Sequence, residues 1–340
     1  MKQGKEGFRV AVVGATGIVG ETMLELLASR RFPVSELAAL ASAESAGRQI
    51  AAGSRSIKVQ DLAGFDFNGF DFALFSAGGS VSAEHAPRAV AAGCTVIDNT
   101  SHFRLDPEVP LIVPEVNGEE LASFQGPGII ANPNCSTIQM LLAIAPIHRA
   151  AGVARINVAT YQSVSGAGRA AMEELGRQCM DRFNFRDPEV HVLSAPIAFN
   201  VIPMIDVMED NGYSREEMKM HRETRRILGS DSIQVNATAV RVPVFYGHGE
   251  AVHLETESEI ALAEVERLLD EAPGVSRFGG AELAMPLTEA AGDDRVFVCR
   301  LRRDFTHPRG LNFWVVADNV RKGAALNAIQ IAEALVEMKR

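Results

Sequence analysis

Residues 10–24, VAVVGATGIVGETML, join an apolar run to a helical pattern through three glycines. Gly14, Gly17 and Gly20 permit a tight turn and let backbone N–H groups approach a pyrophosphate at the positive end of the following helix. The spacing is G-x-x-G-x-x-G rather than the commoner G-x-G-x-x-G, so a bare strand–turn–helix junction is the alternative. Because a strand precedes the loop and a helix follows it, we predict a dinucleotide-binding site.

Short apolar strands alternate with helical stretches through the first third of the chain, from FRVAVVG to CTVIDNTS. This alternation predicts βαβ units and a parallel sheet. After Cys135 the runs become longer and richer in β-formers, as in RINVATYQSVSG, and helical segments such as residues 214–228 interrupt them. We therefore expect an α/β chain with a Rossmann-like dinucleotide-binding domain over residues 1–133 and a second, mixed α+β domain over 134–319.

The segment GAALNAIQIAEALVEMKR has apolar residues at positions 325, 326, 329, 332, 335 and 336. That spacing is typical of one face of a helix. We expect a helix within residues 320–340 that packs back on the first domain and completes it.

Composition limits the class of protein. With 340 residues and 47% hydrophobic content, the chain can bury sizeable cores, and a prior of roughly 150 residues per domain favours two domains. The longest apolar runs are much shorter than the roughly 18 residues that a membrane span needs. No apolar signal core with a small-residue cleavage site follows the first lysines. We expect a cytoplasmic protein without a membrane partner.

Charge and cysteine content exclude further classes. The net charge is -10, and no segment combines a basic stripe with aromatic residues, so we expect no nucleic-acid partner. The four cysteines are widely spaced and include no C-x-x-C pair or histidine cluster suited to zinc: Cys94, Cys135, Cys179 and Cys299. Neither a disulfide framework nor a metal site is expected.

One cysteine has polar neighbours. Cys135 lies in NPNCST, where Asn132 and Pro133 favour an extended chain and an apolar helical pattern begins. Unpaired N–H groups at a helix start favour the thiolate, and they can also stabilise an oxyanion. The alternative is an inert buried thiol, which is our interpretation of the other three cysteines.

A cysteine nucleophile needs an acid/base partner. His248 in RVPVFYGHGEAV lies between Gly247 and Gly249, where we expect a strand to be interrupted and a side chain to be re-aimed. A merely solvated histidine in a turn is the alternative.

The end of the second strand bears on the choice of dinucleotide. LAALASAESAGRQI lacks a lone acidic residue directly at the strand end, and Ser42, Ser45 and Arg48 could receive a 2'-phosphate. Glu44 argues the other way, and a solvated polar loop is the alternative for each of these residues.

Eight ordered motifs extend these patterns over nearly the whole chain: GATGIVG, DNTSHFR, VPEVN, NPNCSTIQM, YQSVSGAG, EEMK, RVPVFYGH and ADNVRKGAALNAIQIAE. In this combination the chain resembles aspartate-β-semialdehyde dehydrogenase. The resemblance implies the semialdehyde dehydrogenase fold, with a catalytic and dimerisation domain, and a homodimer. It also implies an NADP-dependent oxidoreductase that interconverts aspartate 4-semialdehyde plus phosphate and aspartyl-4-phosphate, on the route to lysine, diaminopimelate, methionine, threonine and isoleucine.

The resemblance also implies roles for individual residues. Cys135 matches the acylated nucleophile, His248 the acid/base and Gln162 the residue that orients the substrate. Arg241 matches the clamp on the substrate carboxylate, a role that suits a planar guanidinium. The phosphate-binding positions fall on Arg104 and Lys219, and the cofactor contacts on Thr16, Gly17, Ile18, Val19, Ser42, Ser165, Gly166 and Asn319. Many bacterial members carry a basic residue in place of Glu44.

Glu216 and Lys219 are three residues apart on a predicted helix. Glu216 could hold the ammonium in place for phosphate, and an ordinary surface pair is the alternative.

Two other functions fit parts of the pattern. N-acetyl-glutamyl-phosphate reductase shares this kind of fold and chemistry, but it typically has His-Pro-Gly before its cysteine, whereas this chain has Asn-Pro-Asn. A catalytically silent, dinucleotide-binding paralogue would commonly lack the cysteine, whereas Cys135, Gln162, Arg241 and His248 are all present.

Overall fold

The computed structural model describes residues 7–338, which form two compact units. The first unit comprises residues 7–134 together with 324–338, and the second comprises residues 135–323. Each unit contains its own sheet.

The regular elements of the first 134 residues are β1 (Phe8–Val13), α1 (Ile18–Ser29), β2 (Val34–Ala41), β3 (Gln49–Ala52), β4 (Arg55–Asp61), β5 (Phe72–Phe75), α2 (Gly79–Ala91), β6 (Thr95–Asp98), α3 (Pro114–Asn117) and β7 (Ile129–Ala131). They are followed by α4 (Cys135–Ala151), β8 (Val153–Gln162), α5 (Arg169–Phe183), α6 (Arg215–Ile227), β9 (Gln234–Arg241), β10 (His248–Thr256), α7 (Leu262–Glu271), β11 (Val275–Arg277), β12 (Val296–Arg303), β13 (Gly310–Ala317) and α8 (Leu326–Glu337). Short 3-10 and π-helical turns lie between several of them.

The first unit is built on a seven-stranded sheet in the order β3-β4-β2-β1-β5-β6-β7. All neighbours are parallel except β3 and β4. From β1 the chain passes to β2 on one side and later to β5 on the other, so the strand order reverses beside β1. In open parallel sheets, ligands bind outside the carboxyl ends of the strands at such a reversal.

Helix α8 belongs to the first unit although it follows the whole second unit in sequence. Its buried residues Leu326, Ile329 and Leu335 share one apolar core with Val10 of β1 and Met23 of α1. The apolar face expected from the 3.6-residue spacing therefore lies against the sheet. The regular helix begins at Leu326, later than the expected position 320, because a π-helical turn covers Arg321–Ala325.

The second unit contains a six-stranded sheet in the order β11-β12-β13-β10-β8-β9. Strands β8 and β9 run parallel and place Gln162 opposite Arg241 at their ends. Helix α4 packs on this sheet and is buried along nearly its whole length, including Ile138, Leu141 and Ile144. The start of α4 and the ends of β8 and β9 thus carry three of the predicted site residues, Cys135, Gln162 and Arg241.

Strand β10 alternates between buried and more exposed residues from Glu250 onward, and its first two residues are both buried. Its residues His248, Glu250, Val252 and Leu254 are buried. This pattern differs from the predicted interruption at His248: β9 ends at Arg241, a loop follows, and His248 begins β10, which runs antiparallel to β8. The glycine at 247 makes this turn with a φ of 84°.

Two other sequence-based expectations can be compared with the structure. Cys94 and Cys299 are buried, but Cys179 is only partly buried on α5, so its interpretation as a core thiol was wrong. The helix predicted over residues 214–228 is present as α6, with Ser214 as its cap in a capping box with Glu217.

Between residues 7 and 338, no helix is both long enough and apolar enough to cross a bilayer.

Candidate active site

The glycine loop connects β1 to α1 in the first unit. Gly14 has a φ of 83°, and a side chain there would place its Cβ 2.9 Å from the backbone carbonyl carbon of Ser76. A Cβ on Gly20 would overlap the carbonyl oxygen of Gly14. Both positions therefore require glycine, because the loop packs tightly against its own backbone and against the residues that directly follow β5.

The start of α1 is open to a ligand. Gly17 precedes the helix without a side-chain cap, so backbone N–H groups of the first turn keep their donor capacity. Thr16, Ile18 and Val19 are half-buried around this point. An uncapped helix start after a glycine turn suits a pyrophosphate.

The loop after β2 lies beside the glycine loop, because β1 and β2 are parallel neighbours with Val13 opposite Leu40. Ser42 follows β2 directly and is exposed, and so are Glu44 and Arg48. Ser45 is half-buried. The predicted 2'-phosphate residues are therefore accessible at the carboxyl end of the strand next to β1.

Cys135 is the first residue of α4 and is partly exposed. Gly323 packs on it: a Cβ at Gly323 would lie 2.8 Å from the Cys135 Cβ. A side chain at 323 would therefore force Cys135 or the start of α4 to shift.

His248 is fully buried, and its ring is held by Ser163. The Ser163 backbone N–H donates to His248 Nδ1 over 3.1 Å, and the Ser163 hydroxyl lies 3.1 Å from the same atom. Because Nδ1 accepts, the proton of the neutral ring resides on Nε2. Burial, with a contribution from the Arg241 charge, lowers the pKa of His248 to about 3, so the ring is neutral at pH 7.

The Nε2 atom is buried and has no hydrogen-bond partner among residues 7–338. It faces Gly166, where an added Cβ would lie 3.1 Å away. A donor held in place but unused within the protein is typical of a group that meets a substrate.

Arg241 and Gln162 lie side by side at the ends of β9 and β8. The Arg241 Nη1 donates to the carbonyl of Ser163 over 2.7 Å, which leaves further guanidinium N–H groups for a ligand. Burial lowers the pKa of Arg241, and the negative charges of Glu216 and Cys135 partly offset this effect. That offset places both groups within electrostatic range of the guanidinium.

Glu216 links Gln162 to Lys219. Its two carboxylate oxygens accept from Gln162 Nε2 at 3.1 Å and from Lys219 Nζ at 3.0 Å. Asp206 accepts from the same ammonium at 3.0 Å. Burial opposes the charge on Lys219, but Glu216 and Asp206 outweigh it and raise the pKa of Lys219. The half-buried cation is therefore retained at neutral pH.

Asn319 orders the loops beside His248. Its Oδ1 accepts from the hydroxyls of Ser163 and Ser165 at 3.1 Å each and from the Gly247 N–H at 3.0 Å.

In the first unit, Arg104 is buried after β6 and donates from Nη2 to the Asn99 carbonyl over 2.9 Å. The structure thus groups Cys135, Gln162, Glu216, Lys219, Arg241, His248, Ser165, Gly166 and Asn319 in the second unit, and Arg104 and the glycine loop in the first.

Two family models match the chain: a semialdehyde dehydrogenase NAD-binding domain over residues 9–124, and a semialdehyde dehydrogenase dimerisation domain over residues 144–322. Aspartate-semialdehyde dehydrogenase 2 of Vibrio cholerae is 55% identical over 329 residues, which cover 97% of this chain and 98% of that protein. The chain belongs to the aspartate-semialdehyde dehydrogenase family.

Solved structures of the aspartate-semialdehyde dehydrogenase family agree with the fold. A Vibrio cholerae aspartate semialdehyde dehydrogenase II complexed with ASA has a TM-score of 0.96 at 54% identity, with 98% of this chain and 99% of that one covered. An aspartate semialdehyde dehydrogenase with NADP from Candida albicans has a TM-score of 0.76 at 25% identity, covering 98% and 99%. The predicted resemblance and fold class are confirmed.

Sequence reasoning missed three residues that lie close to the predicted site residues of the second unit. Ser163 follows the assigned Gln162 directly, but nothing local shows that it would contact His248. No local pattern predicted the contact between Gly323 and Cys135, because these are the last and first residues of the second unit and lie far apart in sequence. Glu250 did give one: it is a charged residue in phase with the core positions His248, Val252 and Leu254.

Proposed function

We propose that this chain is an NADP-dependent, phosphorylating aspartate-semialdehyde dehydrogenase that works through a thioacyl enzyme on Cys135. The observation that carries the proposal is the His248 ring, which is locked by Ser163 with an unpartnered Nε2 donor, in the unit that also positions Arg241 and Cys135. The family membership of the chain supports the substrate.

The proposed oxidative reaction begins when the Cys135 thiolate attacks the aldehyde carbon, so that a C–S bond forms and the carbonyl oxygen gains negative charge. The backbone N–H groups at the start of α4 and the Nε2–H of His248 are the donors that stabilise this oxygen. Loss of a hydride from the same carbon gives the thioester. Phosphate then attacks, the C–S bond breaks, and aspartyl-4-phosphate leaves with the thiolate restored. Biosynthesis runs these steps in reverse.

In this scheme His248 stays neutral, and its Nε2–H donates a hydrogen bond to the oxygen of the thiohemiacetal. Because burial lowers the pKa of His248, the ring carries no charge and keeps this hydrogen through the step. Ser163 fixes the tautomer and the ring plane, which is the usual task of the group behind a catalytic histidine.

The two anionic parts of the substrates have separate cations. Arg241 offers a planar fork to the carboxylate of the semialdehyde, with Gln162 beside it. Lys219, held by Glu216, and Arg104 of the first unit are proposed to bind phosphate. Two cations suit an incoming phosphate better than they suit water.

The residues of the first unit fit a dinucleotide. The glycine turn leaves no room for side chains at Gly14 and Gly20, and the start of α1 is uncapped. When bound, NADP+ would accept the hydride in the oxidative direction, and NADPH would return it in the biosynthetic direction. We assign its binding to the glycine loop, Ser42 and Ser45, and to Ser165, Gly166 and Asn319. The NADP named with the Candida albicans relative supports this choice over NAD.

Assembly, location and pathway follow from the same assignment. The match to a dimerisation domain supports a homodimer. We propose that the enzyme is cytoplasmic and that it acts in the biosynthesis of lysine, diaminopimelate, methionine, threonine and isoleucine.

NADP reduction by the purified protein tests the function directly. Aspartate semialdehyde with phosphate should support turnover, and N-acetylglutamate semialdehyde should not. Cys135→Ala should abolish turnover and leave NADP affinity nearly unchanged, whereas Cys179→Ala, at the other partly exposed thiol, should leave both intact. Substantial turnover by Cys135→Ala would exclude the thioacyl mechanism. Turnover with the acetylated substrate alone would assign the chain to the other reductase.

A further inference from the structure

Glu250 is a fully buried carboxyl on the strand that carries His248. It is the third residue of β10 and lies opposite Thr160 of β8 and Val315 of β13. Neither of its carboxyl oxygens makes a hydrogen bond of ordinary geometry within residues 7–338. The mechanism proposed above gives this group no task.

The surroundings of Glu250 favour the neutral acid. Burial raises the pKa of Glu250 well above its ordinary value, and Ser136 and Gln139 offset only part of that rise. Both of these side chains are neutral, so no ion pair with them compensates for burying a charge. The upward shift of the pKa of Glu250 favours its neutral, protonated form, which can donate a hydrogen bond.

A matching acceptor lies on α4. Gln139 donates from Nε2 to the main-chain carbonyl of His248 over 3.1 Å, while its own Oε1 is buried and has no partner within the described chain. In its neutral form, Glu250 would supply the donor that Gln139 Oε1 lacks. Gln139 would then be held at both ends, between Glu250 and the backbone of His248.

Ser136 extends the contact toward the substrate residues. Its hydroxyl accepts from Gln162 Nε2 at 3.1 Å, and Gln162 in turn donates to Glu216 at 3.1 Å. A buried polar path thus runs from Glu250 through Ser136 and Gln162 to Glu216. Ser136 also directly follows Cys135 in the first turn of α4.

We propose that Glu250 is a positioning residue: as a neutral acid it holds Ser136 and Gln139, and so fixes the turn that carries Cys135 against the strand that carries His248. This proposal goes beyond the dehydrogenase function but rests on it for its kinetic test. Small displacements of reacting groups cost large factors in rate, so a loosened first turn should reduce turnover more than substrate binding.

Two variants at position 250 distinguish a requirement for a neutral polar side chain from a requirement for side-chain volume alone. Glu250→Gln keeps the shape, a donor and an acceptor, and it should retain kcat within about threefold of the wild type. Glu250→Leu keeps the volume without polar atoms, and it should lower kcat by about tenfold or more while KM for aspartate semialdehyde stays within about twofold. Alkylation of Cys135 by iodoacetamide, followed by peptide mass spectrometry, should slow in Glu250→Leu and not in Glu250→Gln.

Thr256→Val is the matched control, because it also removes a buried polar group from the same face of β10. It lies six residues further along, about 20 Å away at the rise of a strand. It should lower the melting temperature without changing kcat or alkylation.

Wild-type kcat and alkylation in Glu250→Leu would overturn the proposal, as would an equal loss of kcat in a folded Glu250→Gln. If Glu250→Leu fails to fold, the Glu250→Gln result alone decides between these outcomes. If the wild type does not oxidise aspartate semialdehyde, the proposed function fails, while alkylation and melting still test Glu250.

Discussion

Gly323 lies directly against Cys135, with its missing Cβ position 2.8 Å from the Cβ of the cysteine. Real side-chain carbons do not approach so closely, so the absence of a side chain at 323 sets where the thiol can lie.

Gly323→Ala should therefore lower kcat by about tenfold or more, because the added methyl displaces Cys135 or strains the start of α4. Steady-state kinetics and the rate of Cys135 alkylation measure the effect. Gly64→Ala is the control, since a Cβ at Gly64 meets no atom within 4 Å and should change neither quantity. An unchanged kcat in Gly323→Ala would show that the helix start accommodates the methyl group.

His248→Asn should reduce kcat by about a hundredfold or more, because Asn can still accept from the Ser163 N–H but has no atom in the position of Nε2. The Michaelis constants should change little. A change confined to KM would make His248 a binding residue.

The same substitution should make folding less sensitive to acid. His248 has a pKa of about 3 in the folded chain against an ordinary 6.5, so the unfolded chain binds the extra proton between these values. Its contribution to stability is fully present above pH 6.5 and is lost as the pH falls toward 3. Melting temperatures should therefore fall less between pH 7 and pH 4 in His248→Asn than in the wild type. If the melting temperatures of the two proteins fell equally with pH, the pKa of His248 would be the same in the folded and the unfolded chain.

The carboxylate and phosphate sites should respond to different substitutions. Arg241→Lys should raise KM for aspartate semialdehyde by about tenfold or more, since a point charge cannot reproduce the fork. Lys219→Ala should instead raise KM mainly for phosphate. Arg277→Lys, on an exposed ion pair with Asp270, is the control and should leave both constants unchanged. Equal effects of the first two variants on both substrates would contradict separate sites.

The cofactor preference should depend on the loop after β2. NADP should be preferred over NAD, Ser42→Ala should reduce the ratio of the two kcat/KM values, and Glu44→Arg should increase it through a charge-assisted contact. Each change should be about threefold to tenfold, in keeping with one hydrogen bond. Ser35→Ala, an exposed serine near the opposite end of β2, serves as the control. An NAD preference in the wild type would show that Glu44 faces the ribose.

Local patterns were sufficient to predict the glycine turn, the helix that begins at Cys135 and the helix α6. Each of these depends on residues within one or two turns of each other. The Ser163–His248 bond joins residues 85 positions apart, and the Gly323–Cys135 contact spans the second unit. Such contacts depend on how the sheet brings strands together, and no spacing in the sequence encodes them.

His248 and Glu250 illustrate the same limit from another side. The flanking glycines drew attention to His248, but they suggested a broken strand, whereas the residue begins β10. Glu250 occupies a core position in the alternating pattern, but the side chains that we propose it holds, Ser136 and Gln139, lie on α4. Only the packing of α4 on the sheet brings these side chains close to Glu250. Charged residues in phase with a buried strand face are therefore worth noting before a structure is known.

The return of α8 to the first unit has a consequence for biosynthesis of the chain on the ribosome. The core around Val10 and Met23 lacks Leu326, Ile329 and Leu335 until residues 135–323 have been translated. At roughly 5–20 residues per second this takes about 10 to 40 s, during which apolar surface of the first unit stays uncovered. The second unit can therefore complete its core before the first unit does. Until then, the uncovered apolar surface of the first unit is a surface that chaperones can bind.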